Sequence, residues 1–191
     1  MLFSSVVFLL YFLPLVLILY YTIGRLNIKV RNGILLIASL VFYAWGEPKN
    51  VLLLLFSCVF NYLLGLPAGS QKLSDTLRRM GLIAAVIINL GILFVFKYLN
   101  FTVDTINALA GRGLLSVRSI ALPLGISFFT FQALSYVIDV YRRDTPVQKN
   151  PFDLALYICL FPQLVAGPIV RYNEVQHQLL HRQENFEQLR R

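Results

Sequence analysis

Apolar residues in this chain gather into six runs, and the short stretches between them hold most of the charge. A membrane-spanning helix takes about 20 apolar residues, with a range of about 17–25. Residues 3–23 satisfy that length, and Pro14 predicts a kink within them. Arg25, Lys29 and Arg31 follow with no acid among them. The second run, 34–45, is short and stops at Gly46-Glu47-Pro48-Lys49-Asn50, a strong turn signal. The third covers 51–66, so the two form a tight helical hairpin. A polar loop over 67–79 carries Lys72, Arg78 and Arg79, and the fourth run is 80–96. Residues 97–119 are mixed. There Phe101, Val103, Ile106, Leu109 and Ala110 recur at helical spacing, which predicts an amphipathic helix lying in the interface. The fifth run, 120–141, ends at Arg142-Arg143. The sixth, 152–170, is interrupted by Pro162 and by Gly167-Pro168. Residues 171–191 are charged, Gln-rich and compatible with a helix, as a polar cytoplasmic tail or a connecting helix.

The pattern predicts an all-α polytopic membrane protein with five spanning helices, a broken sixth segment and an interfacial helix. The sixth segment leaves two paths open. Residues 154–161 supply about 12 Å of helix at 1.5 Å per residue. If Pro162 ends that helix, the segment is re-entrant and the tail returns to its starting side; if Pro162 only kinks it, the segment crosses. The basic tail (Arg171, Arg182, Arg190, Arg191) favours re-entry.

Composition fits this class. The chain is 58% hydrophobic and 14% charged, with a mean hydropathy of +0.69, whereas a soluble domain has about 25% charged residues. The net charge of +8 reads as topogenic. Its basic residues are spread between apolar runs, which excludes a nucleic-acid surface on one folded face. The loops after the first, third and fifth runs hold nine basic residues and the alternate loops four. The N-terminus is therefore expected outside, with Lys29, Arg78 and Arg143 cytoplasmic. No basic leader or small-residue cleavage site accompanies the first run, so it reads as a span and not a cleaved signal. Cys58 and Cys159 lie in apolar runs without metal-ligand spacing and are expected to be buried small hydrophobes.

The candidate chemistry lies where polar and helix-breaking residues enter apolar runs. Leu122-Pro123-Leu124-Gly125-Ile126-Ser127-Phe128-Phe129-Thr130-Phe131-Gln132 and Phe161-Pro162-Gln163-Leu164-Val165-Ala166-Gly167-Pro168-Ile169 are such segments. Irregular backbone at membrane depth is tolerated only inside protein or beside a wet cavity. Gln132, Pro162, Gln163, Gly167, Pro168 and Arg171 are therefore candidates for lining a channel. Gln132 also suits interhelical hydrogen bonding, and Arg171 suits either a phosphate or an interfacial anchor. Asp139 either lines the same face as Gln132 or sits at the interface paired with Arg143. Asn61 and Asn89 suit helix-to-helix hydrogen bonding. His177 and His181, four residues apart without an HExxH pattern, belong to a solvated tail, and no metal site is expected.

Four stretches together resemble the membrane-bound O-acyltransferases, most of all the bacterial branch that acetylates alginate. They are 42–49 (FYAWGEPK), 60–65 (FNYLLG), 122–142 with its PLGISFFTFQ core and YVIDVYR end, and 161–172. The resemblance implies that residues 1–191 are the N-terminal part of a single acyltransferase domain in a bacterial inner membrane. It implies acetyl transfer to a hydroxyl of an extracytoplasmic polysaccharide, such as alginate, another exopolysaccharide, peptidoglycan or teichoic acid. The partners it implies are the lipid bilayer, an acyl-thioester or acyl-carrier donor, the polysaccharide acceptor and other polysaccharide-modification proteins, with no cofactor. The family's catalytic histidine lies in a later helix, beyond Arg191, so the resemblance assigns no catalytic residue here and implies that these 191 residues alone are inactive. Two other readings stay open: a transporter or flippase with a broken-helix site, and a non-catalytic membrane scaffold.

Overall fold

A computed structural model describes residues 5–111, 115–116, 120–166 and 170–182. One turn of π-helix, Phe8–Phe12, leads into α1, Leu13–Thr22, and a 3-10 turn, Ile23–Leu26, closes it. Pro14 stands at the second position of α1, directly after the π-helical turn, so its missing N–H leaves a carbonyl of that preceding turn without its helical partner. The kink expected from Pro14 thus takes the form of a change in helix type.

Asn27 starts α2, Ile28–Gly46, its side-chain oxygen accepting from the Lys29 N–H at 3.2 Å. The turn at Pro48–Asn50 then leads into α3, Val51–Ala68, completing the expected hairpin. Ser74 caps α4, Asp75–Lys97, by accepting from the Leu77 N–H at 3.4 Å. These caps move both helix starts upstream of the apolar runs. Lys29, Arg31, Arg78 and Arg79, read from the sequence as loop residues, lie inside helices. α5, Leu99–Ala110, stops at Gly111 in the left-handed region. α6, Ile126–Arg142, is followed by α7, Pro151–Cys159, α8, Phe161–Ala166, and α9, Tyr172–His181.

The described residues contain helices and no strand. α2, α3 and α4 are each long and apolar enough to cross a membrane. The expected count of five spans is not reached on that measure, since the first stretch and α6 are shorter: α6 has 17 residues because residues 120–125 are not helical. Outward side chains such as Ile37, Leu52 and Ile87 are exposed and apolar, as a lipid-facing surface requires.

α3, α4 and α6 pack on one another, and α7 lies against α2 and α3. Asn61 and Asn89 exchange amide hydrogen bonds between α3 and α4, at 3.3 and 2.8 Å. Each amide also donates to a carbonyl of its own helix, Ser57 and Ala85 respectively. The Cys58 and Cys159 thiols are both buried, and their sulfurs lie 3.4 Å apart across α3 and α7. Their separation in sequence gave no sign of this.

Arg78 is buried at 6% exposure. Its guanidinium donates to the Ala68 carbonyl at 3.2 Å, the Tyr141 carbonyl at 2.9 Å and the Asp75 carboxylate at 3.0 Å. It therefore clamps the C-terminal ends of α3 and α6, whose last carbonyls have no helical partner. Lys29, Lys72, Arg78, Arg143 and Lys149 all gather at this end of the bundle.

Candidate functional site at a broken helix

Pro162 has no N–H, and in a continuous helix its ring would press on the carbonyl four residues earlier. α7 accordingly ends at Cys159, Leu160 turns out of helical geometry (φ −54°, ψ 115°), and α8 restarts with Pro162 second. A continuous helix would have bonded the Phe161 N–H to the Tyr157 carbonyl. Here two other helices supply the partners. The Phe161 N–H donates to Ser39 Oγ of α2 at 3.2 Å, and Gln132 Nε2 of α6 donates to the Tyr157 carbonyl at 2.7 Å. The break is thus a three-helix junction with two of its backbone groups satisfied, as a low-dielectric setting demands. Ser39 is a residue that the sequence pattern did not single out. Its signal was a small hydroxyl side chain in an otherwise apolar run.

Gln132 is 3% exposed and donates a second bond to Gln163 Oε1 at 3.1 Å. The structure therefore joins these two candidates. Gln163 is half-buried, and its backbone N–H is held by the Leu160 carbonyl at 2.9 Å. Pro162 is exposed, as is Arg171, which precedes α9 in extended conformation. Gly167 and Pro168 lie outside the described residues.

Gly125 links the two signature segments. Its φ of 74° is left-handed, and a Cβ there would stand 2.6 Å from the Leu164 carbonyl oxygen. The turn before α6 thus rests directly on α8. Tyr43 of α2 adds a bond from its hydroxyl to the Leu124 carbonyl at 3.0 Å.

Nearer the basic end, Tyr136, Tyr157 and Tyr172 form a buried stack, with Tyr172 5.1 Å edge-on from each of the others. The Tyr136 hydroxyl accepts from the Gln148 N–H at 3.0 Å, and Gln148 Nε2 donates to the Tyr172 hydroxyl at 2.8 Å. Burial pushes the Tyr172 phenol well above its ordinary range, against the opposing bond from Gln148, so it stays a neutral partner at physiological pH. Asp139 is also buried, at 5% exposure, and its Oδ2 has no hydrogen-bond partner among the described residues. The pairing of Asp139 with Arg143 expected in the interfacial reading is not among the ion pairs of the described residues. The acid that meets the arginine pair is Asp144, 3.7 Å from Arg142.

The start of α7 and residues 176–179 of α9 both reach the basic end. Asn32 Nδ2 donates to Asp153 Oδ1 of α7 at 3.2 Å and to the Leu179 carbonyl of α9 at 2.9 Å. Thr145 donates to Gln176 at 3.3 Å. Ser39 is the twelfth of nineteen residues in α2, so the break lies near mid-helix, about 17 Å from its start. His177 is exposed on α9, and no group of three metal-binding side chains occurs among the described residues.

The chain is 44% identical over 185 residues, 95% of its length, to a protein of Pseudomonas aeruginosa named "Probable alginate O-acetylase AlgI". Over nearly its whole length the chain is similar in sequence to the alginate O-acetylases. A protein of the same name from Azotobacter vinelandii is 43% identical over 95% of the chain. A peptidoglycan O-acetyltransferase of Helicobacter pylori is 32% identical over 93% of it. The chain covers 35%, 36% and 38% of these proteins, and so spans about a third of the length of the curated relatives it matches. No family model matches the chain, and no solved structure matches it. The sequence resemblance to the membrane-bound O-acyltransferases, alginate-acetylating branch, is borne out by these relatives.

Proposed function

We propose that this chain is the N-terminal part of an acetyltransferase domain in a bacterial inner membrane. The whole protein moves an acetyl group from a cytoplasmic thioester or acyl-carrier donor to a hydroxyl of an extracytoplasmic polysaccharide. The names of the relatives support O-acetyl transfer. The observation that carries the local reading is the broken helix, where Gln132 and Gln163 share a hydrogen bond at mid-helix depth. Segment α7–α8 is re-entrant in this reading, because α9 rejoins the end where α7 begins. A histidine base for the acceptor hydroxyl comes from sequence outside these residues, since His177 and His181 stand in the polar α9. The 191 residues alone are then inactive. Gln163, whose amide N–H groups are not spent on the break itself, lines the path of the reacting groups with the Pro162–Pro168 stretch.

In the complete protein, Gln163→Leu should keep thermal stability near normal while cutting acetyl transfer markedly. Asn89→Leu should do the reverse, since it leaves the buried Asn61 Oδ1 without its donor. Activity intact in Gln163→Leu, with Asn89→Leu inactive at normal stability, would move the path to α4.

A further inference from the structure

A concave cavity of about 720 Å³ opens at the basic end, between the C-terminal ends of α3 and α6 and the chain leading to α7. Lys72, Arg143 and Lys149 line it, and no lining residue is acidic. We infer that this cavity is a binding site for a phosphate ester.

Three features show a built site. The first is the rigidity of its walls. Buried Arg78 clamps the carbonyl ends of the two helices that form the rim. Gly69 is wedged between the side chains of Val140 and Val147, leaving no room for a Cβ. The third wall is pinned by the Tyr62 hydroxyl on the Lys149 carbonyl at 2.8 Å and by Gln148 between two tyrosine hydroxyls. The second feature is Arg143, which has a φ of 67° and is the one left-handed residue other than glycine among the described residues. A helix end of this geometry favours glycine. Strain retained where glycine would relieve it points to use of the side chain. The third is the charge. Basic residues near helix C-termini are favourable in any case, which accounts for their sign but not for the concavity or the strained arginine. Three cations around one hollow exceed what a single carboxylate balances. A phosphate ester offers several acceptor oxygens for one guanidinium and two ammonium groups. The volume falls within the range of about 300–1,000 Å³ typical of ligand sites. The ester can come from an anionic phospholipid headgroup or from a water-soluble phosphorylated molecule. The site stands whether or not the protein transfers acetyl groups.

The test uses the complete protein, purified in detergent. One arm measures retention of phosphatidylglycerol against phosphatidylcholine by native mass spectrometry. The other measures calorimetric binding of inorganic pyrophosphate. Arg143→Gly should weaken binding about tenfold, the loss of a charge-assisted contact, while thermal stability holds or rises. Lys149→Ala should weaken it similarly. Arg79→Ala, an exposed basic residue outside the cavity, should leave it unchanged. Binding of the lipid alone or of pyrophosphate alone upholds the site and names its source. Binding of neither, or equal losses in Arg143→Gly and Arg79→Ala, overturns it.

Discussion

At the scale of single residues, the break separates two glutamines that composition treats alike. Gln132 supplies the donor that the Tyr157 carbonyl lacks, whereas Gln163 only accepts from Gln132 at its side chain. Gln132→Leu should therefore cost about 1–3 kcal/mol, the penalty of an orphaned buried carbonyl. Ser39→Ala, which strips the Phe161 N–H of its acceptor, should cost a similar amount. Gln163→Leu should cost well under that. Thermal unfolding in a fixed detergent checks all three, and equal losses would show that the glutamines have the same structural duty.

Among the elements, the apolar runs made most helices legible, and local chemistry set their ends. Asn27 and Ser74 begin α2 and α4 several residues before hydropathy does, because a capping oxygen satisfies N–H groups that apolar residues cannot. The two signature segments were legible as unusual but not as neighbours. What joins them is Gly125 on Leu164 and Gln132 on Tyr157, and pairs so distant in sequence leave no periodic trace. The same holds for Cys58 with Cys159 and for the burial of Arg78 and Asp139. Gly125→Ala tests the junction of elements. It forces a side chain into the left-handed region and against a carbonyl, so it should cost about 1–3 kcal/mol. In the complete protein it should also lower the proposed acetyl transfer by displacing α8. Unfolding and activity measured on the same preparation check it, and an unchanged midpoint would show that the turn and α8 do not touch.

Across the whole molecule, the charge bias and the structure agree on grouping: Lys29, Lys72, Arg143 and Lys149 stand at one end. By the positive-inside rule we propose that this end is the cytoplasmic one. Single cysteines placed at Lys29, Lys72 and His177, in a background lacking Cys58 and Cys159, should resist a membrane-impermeant thiol reagent in intact cells and react in opened ones. One at Lys49, in the turn between α2 and α3, should react in intact cells. Labelling of position 29 from outside would invert the orientation.

The junction at the break also bears on the order of assembly. Released alone into lipid, α7 and α8 would carry a bare N–H at Phe161 and a bare carbonyl at Tyr157, each costly in hydrocarbon. Their partners, Ser39 and Gln132, lie on α2 and α6, both earlier in the chain. During synthesis the receptacle is therefore finished before its occupant emerges. The broken segment need never dwell in the bilayer unaccompanied, and it docks into a cradle already waiting for it.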